Sequence, residues 1–133
     1  MEQTLELNTQ WGSTEKVQLE ISNYRNNNGL YIGLNAVGGE DTESYGDITV
    51  NLDGKAPDYC AYVDINNMPE LEKFIEENDL GEFMGLTKRS GFCEFPLYMF
   101  NPDKLRELCP DGMEGYERSI GADKKLEQKP QIR

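Results

Sequence analysis

The stretch MPELEKFIEENDLGEF, running from Met68 to Phe83, decides how the rest of the chain is read. Asn67 suits a helix N-cap, Pro69 suits a first turn, and Gly81 suits the position just past a helix end. Leu71, Phe74 and Ile75 recur at helical spacing and form one apolar stripe. The other side carries Glu70, Glu72, Glu76, Glu77, Asp79 and then Glu82, against a single Lys73. The spacing therefore predicts an amphipathic helix with one face to bury and the other dense in carboxylates.

Upstream, the pattern is that of a strand meander. Thr4-Leu5-Glu6-Leu7 alternates, as does Val17 to Ile21, with Trp11-Gly12 in the turn between them. Asn26-Asn27-Asn28-Gly29 is hairpin chemistry, and Leu30, Ile32 and Leu34 alternate beyond it. A polar loop, Gly38 to Glu43, precedes a fourth strand carrying Ile48, Val50 and Leu52, and Cys60 to Ile65 forms a fifth.

Downstream, Phe83 to Thr87 and Phe92 to Phe100 read as a second hairpin about Lys88-Arg89-Ser90-Gly91. Pro96 lacks an N–H, which calls for an edge position or a bulge. Asn101-Pro102-Asp103 starts a short helix with Leu105 and Leu108 inward. After Pro110 the apolar periodicity lapses. The expected organisation is one domain over residues 1–110 and a flexible or disordered tail over 111–133, with room for one helical turn near Gly115–Ile120. The expected fold class is α+β: a mainly antiparallel sheet of about six or seven strands, meander plus C-terminal hairpin, with one principal helix packed on it and a short C-terminal helix.

Composition narrows the function classes. Length and a hydrophobic content of 37% suit one folded domain of 133 residues. No apolar run has membrane-spanning length and the N-terminus has no signal-peptide pattern, so a cytoplasmic, membrane-free protein is expected. The chain has no histidine, which removes the usual general base and most zinc sites. Three cysteines, Cys60, Cys93 and Cys109, form no CxxC pair and read as packed thiols. Asp64 to Glu70 lacks the ligand spacing of a calcium loop, and Gly38-Gly39 is too short to cradle a phosphate. Asp47, Asp58, Asp64 and Glu94 offer carboxylates for a hydrolase, but their spacing selects no pair. Neither a cofactor, a metal nor a catalytic residue is expected.

Charge is the informative quantity. Residues 1–87 hold 17 acidic and 4 basic side chains, net −13, whereas 88–133 hold 8 and 9, net +1. Such a field repels nucleic acid and attracts basic proteins. On a helix, Glu72 and Glu76 stand about 6 Å apart, near the scale on which phosphates repeat along DNA. The expected partner is thus a basic or nucleic-acid-binding protein, contacted through Glu70, Glu72, Glu76, Glu77, Asp79 and Glu82. Lys88 and Arg89, the only adjacent basic pair before the tail, form a second candidate contact at the hairpin.

Several blocks also carry a resemblance. They are Leu7 to Gly12, Asn27 to Leu30, Thr49 to Leu52, Ala61 to Asp64 with Asn66-Asn67, Leu80-Gly81, and Arg89 to Tyr98. Together, over residues 3 to 110, they resemble a family of small acidic proteins of unknown function carried on conjugative and other mobile elements of gut bacteria. The resemblance brings no catalytic residues. It implies a setting in which acidic, DNA-imitating inhibitors of restriction or CRISPR nucleases recur. A structural or regulatory accessory protein of mobile-element transfer, docking through residues 88–92, is the alternative.

Overall fold

The computed structural model describes residues 4–24, 29–37, 43–52 and 56–121. Eight strands form two antiparallel four-stranded sheets, joined by three helices into an α+β fold. In the first sheet β1 (Thr4–Asn8), β2 (Thr14–Asn23), β3 (Leu30–Ala36) and β4 (Glu43–Asp47) lie in chain order. Period-two alternation sends Leu7, Val17, Leu19, Ile21, Leu30, Ile32 and Leu34 into the core. The β1–β2 turn is tied by Thr9 and Ser13, with Gly12 at φ 88° and Trp11 exposed. The predicted Asn26–Asn28 turn and most of the Gly38–Glu43 loop lie outside the described residues.

The single fourth strand expected around Ile48 is in fact two. β4 ends at Asp47 in the first sheet, and β5 (Thr49–Val50) begins the second. Ile48 sits fully buried at the seam: its N–H donates to Ile32 O, and its carbonyl accepts from Asp64 N–H, both at 2.9 Å. Beside it, buried Thr49 keeps its hydroxyl satisfied by accepting from Ile32 N–H at 3.1 Å and bonding Tyr24 Oη at 3.0 Å.

The second sheet runs β5, β6 (Cys60–Val63), β8 (Cys93–Phe100), β7 (Gly81–Ser90). Pro96 therefore lies in an interior strand, not at an edge. The sheet accommodates it through an irregularity in the facing strand: between Phe83 and Thr87 the register shifts, and Met84, Gly85 and Leu86 have no partner in β8. Lys88, Arg89 and Ser90 belong to β7, so the turn itself is Gly91-Phe92.

The helices are α1 (Leu71–Glu77), α2 (Pro102–Leu108) and α3 (Pro110–Ile120). α1 starts later than its sequence signals suggest. Asn67 does not cap it: its Nδ2 donates to Asp64 Oδ2 at 2.9 Å in the preceding turn, and Glu70 takes the N-cap position without a side-chain cap bond. α2 follows expectation, with Asn101 Oδ1 accepting from Lys104 N–H at 3.4 Å and Pro102 in the first turn.

α3 corrects the expected tail. Residues 110–120 are helical and contribute Met113 and Tyr116 to the core, so the domain does not stop at 110. Residues 122–133 lie outside the described residues. Gly112 makes the packing possible, because a Cβ there would meet Ile21 O at 2.5 Å and hold α3 off β2.

An ion-pair network locks α3 to α2. Arg106 donates through Nε and Nη2 to the two oxygens of Glu117 at 2.9 and 2.8 Å, and through Nη1 to Asp103 at 2.6 Å. Tyr59 adds a hydroxyl donated to Glu117 Oε2 at 2.5 Å. Arg106 chiefly, and Tyr59 after it, hold the Glu117 carboxyl below the usual carboxylate range despite partial burial. Burial and the same bond push the Tyr59 phenol up to about 12. A carboxyl whose folded pKa is depressed stabilises the fold above its unfolded value of about 4.3, and that contribution is lost as pH falls through the folded pKa. Urea unfolding followed from neutral to acid pH should therefore show a shallower loss of stability in Glu117→Gln than in the parent chain.

Candidate acidic cleft

The cleft follows from how α1 ends. Leu71, Phe74 and Ile75 are buried, and each contributes about 1.5–3 kcal/mol. That outweighs the repulsion between Glu72 and Glu76 at i, i+4, about 0.2–0.5 kcal/mol. Leu80, also buried, then turns the chain back, its N–H donating to Ile75 O at 2.9 Å, while Asp79 takes a left-handed φ of 56° that aspartate tolerates. Asn78 Nδ2 satisfies Phe74 O at 2.9 Å. Gly81 opens β7 where a Cβ would meet Met99 O at 2.6 Å, so only glycine lets the strand approach β8 there.

This reversal lays Asp79 and Glu82 beside Glu72 and Glu76. The four carboxylates, with Lys73, Gly81, Phe83 and Tyr98, line one open cleft of about 530 Å³. The Phe83 and Tyr98 rings lie 5.9 Å apart. Tyr98 donates its hydroxyl to Glu72 Oε2 at 2.9 Å, and burial together with that carboxylate raises its phenol pKa. A neighbouring concavity of about 280 Å³ shares Asp79, Gly81 and Glu82.

Cations are scarce here. Lys73, the one basic residue in the lining, reaches Glu77 at 3.8 Å. Among the described residues, Glu76, Asp79 and Glu82 have no ion-pair partner. The last turn of α1 has no basic residue either, so Glu76, Glu77 and Asp79 crowd the negative end of the helix dipole.

The other sequence candidates lie elsewhere. Glu70 is half-buried at the helix start, its Oε1 covered and without a hydrogen-bond donor among the described residues. Glu77 faces Lys73 outside the cleft lining. Lys88 lies 6.0 Å above the Tyr62 ring, and Arg89 pairs with Glu94 at 3.7 Å. Asp47 accepts from Tyr31 at 2.7 Å and Asp64 from Asn67 at 2.9 Å. Among the described residues no three His, Cys, Asp or Glu side chains group to hold a metal ion, and no helix is long and apolar enough to cross a membrane. Phe83 and Tyr98 were missed as cleft residues, although strand alternation puts Tyr98 and Phe100 on one face.

A family signature described as a domain of unknown function, DUF4313, matches residues 18–120. The chain belongs to the DUF4313 family. No curated protein and no solved structure matches it at a significant level. The DUF4313 match begins in β2 and ends with the last residue of α3. It takes in the whole cleft and leaves β1 outside. The resembling blocks run over residues 3 to 110, so the two overlap from 18 to 110.

Proposed function

We propose that this DUF4313 protein is a non-enzymatic protein-binding module whose acidic cleft takes a basic, nucleic-acid-binding surface of a partner. The observation that carries this reading is the convergence of Glu72, Glu76, Asp79 and Glu82 on one cleft, with Glu76 and Asp79 at the helix end where negative charge is least welcome. A merely solvated face has no need to gather carboxylates there. Local rules broken without local compensation tend to mark functional surfaces. The spread of charge over a broad cleft suits an extended cationic surface better than a point cation. An anti-defence role, in which the cleft stands in for the DNA backbone at a restriction or CRISPR nuclease, fits this chemistry and the resemblance to mobile-element proteins.

The test is a pull-down with the tagged full chain from a bacterial lysate, at low and at high salt. A DNA-binding protein recovered at low salt, released by high salt and displaced by added DNA is the expected result. Partners that persist in high salt and ignore DNA would overturn it. They would favour an accessory protein of mobile-element transfer docking through the 88–92 hairpin, a reading that the fully exposed Phe92 ring supports.

A further inference from the structure

β7 is the edge strand of the second sheet, and among the described residues no strand lies beyond it. Edges of soluble proteins are usually short, charged, bulged or covered, because an open edge is a template for another strand; β7 carries a bulge at 84–86 and charges at Glu82, Lys88 and Arg89, but its length and apolar exposure still offer a template. This one is ten residues long, and it exposes Phe83 at 49%, Met84 at 44% and Leu86 at 61%.

Its sequence is also complementary to itself. Gly85 lies midway, with Met84 and Leu86 one step to either side and Glu82 and Lys88 three steps away. An antiparallel copy turned about a two-fold axis at Gly85 sets Met84 opposite the copy's Leu86 and Glu82 opposite its Lys88. Each contact occurs twice, as a symmetric interface requires. The faces agree as well: Glu82 pairs with Met99 and Lys88 with Phe95, so both stand on the same side of the sheet. Gly85 itself, at φ 85°, has nothing within 4 Å of where a Cβ would be, which leaves bare backbone at the axis. The irregularity detaches Met84 to Leu86 from β8, so the flanking stretches 81–83 and 87–90 supply the regular pairing.

From this we infer that two copies of the chain pair along β7, antiparallel and centred on Gly85, into one continuous eight-stranded sheet. The proposal goes beyond the cleft reading and stands without it, although it uses Glu82 of the cleft lining and draws Lys88 from above the Tyr62 ring toward the edge. At physiological salt the overall charge of −12 is screened with distance, while opposed neighbours across the strand still attract.

Sedimentation equilibrium of the full chain, from micromolar to millimolar, tests it. A concentration-dependent dimer is expected. Glu82→Lys and Lys88→Glu should each weaken dimerisation about tenfold, because two attractive pairs become repulsive. The double variant Glu82→Lys/Lys88→Glu should return to the parent affinity, which a general effect on folding or solubility would not produce. A monomer throughout the range, a dimer indifferent to both single reversals, or a double reversal without recovery overturns the proposal.

Discussion

Replacing Glu72 and Glu76 together with lysine should weaken capture of the basic partner by at least about a hundredfold, since close charge pairs across an interface couple by about 1.5–7 kcal/mol. Each substitution removes an attraction and adds a repulsion, so the local charge of the cleft swings by four units. Net charge alone would change equally in Glu6→Lys/Glu20→Lys, two exposed positions on the first sheet remote in sequence from the cleft. That control should bind within a fewfold of the parent chain in the same salt-dependent pull-down. Equal losses in both double variants would mean that the partner senses overall charge rather than this site. Loss of the Tyr98 bond to Glu72 is a smaller matter, about 1 kcal/mol of stability. Urea unfolding would confirm that the reversed chain is folded.

The largest effect on stability is expected at Tyr116. Its ring is fully buried, meets Tyr59 edge to face at 5.7 Å, and its hydroxyl accepts from Tyr59 N–H at 2.9 Å. Tyr116→Ala should cost about 3–5 kcal/mol, about a fifth or more of the stability of a typical domain. Tyr116→Phe keeps the ring and leaves the Tyr59 N–H without its acceptor, for about 1–3 kcal/mol. Tyr59 holds a positive φ of 68°, so that amide belongs to a strained turn which α3 keeps in place. Urea midpoints at unchanged slope would separate the two variants. A value for Tyr116→Ala below that expected for Tyr116→Phe would show that α3 is not integral to the core.

These two sites differ in how far the sequence reveals them. The apolar alternation of β1, β2 and β3 and the Leu71, Phe74, Ile75 stripe are strong periodic signals, so the α+β class and the face of α1 were legible. Pro96 signalled an irregularity but not its location, because a proline's missing donor can be absorbed by the facing strand. The split at Ile48 was invisible, since a run of alternating residues looks the same whether or not it changes sheets. α3 is longer than the one turn near Gly115–Ile120 that the sequence suggests, for a specific reason. Cys109, Met113, Tyr116 and Ile120 do recur at helical spacing, but Gly112 and Gly115 among them read as breakers. Gly112 is instead the point of closest approach to β2. The cleft was half legible: its acids stood out by charge, but Asp79 and Glu82 join Glu72 and Glu76 only through the left-handed turn after α1.

The seam at Ile48 has a thermodynamic consequence. One residue is hydrogen-bonded through its N–H to β3 and through its carbonyl to Asp64, just past β6, so neither sheet can open there without exposing a buried isoleucine and two backbone groups. Local openings that would let half a domain breathe are thereby coupled to unfolding of the whole. A partner that grips the cleft, which belongs wholly to the second half, is linked through Ile48 to the meander of the first. The binding energy of such a partner should protect both halves against unfolding, and amides far from any contact in β2 and β3 should share in that protection.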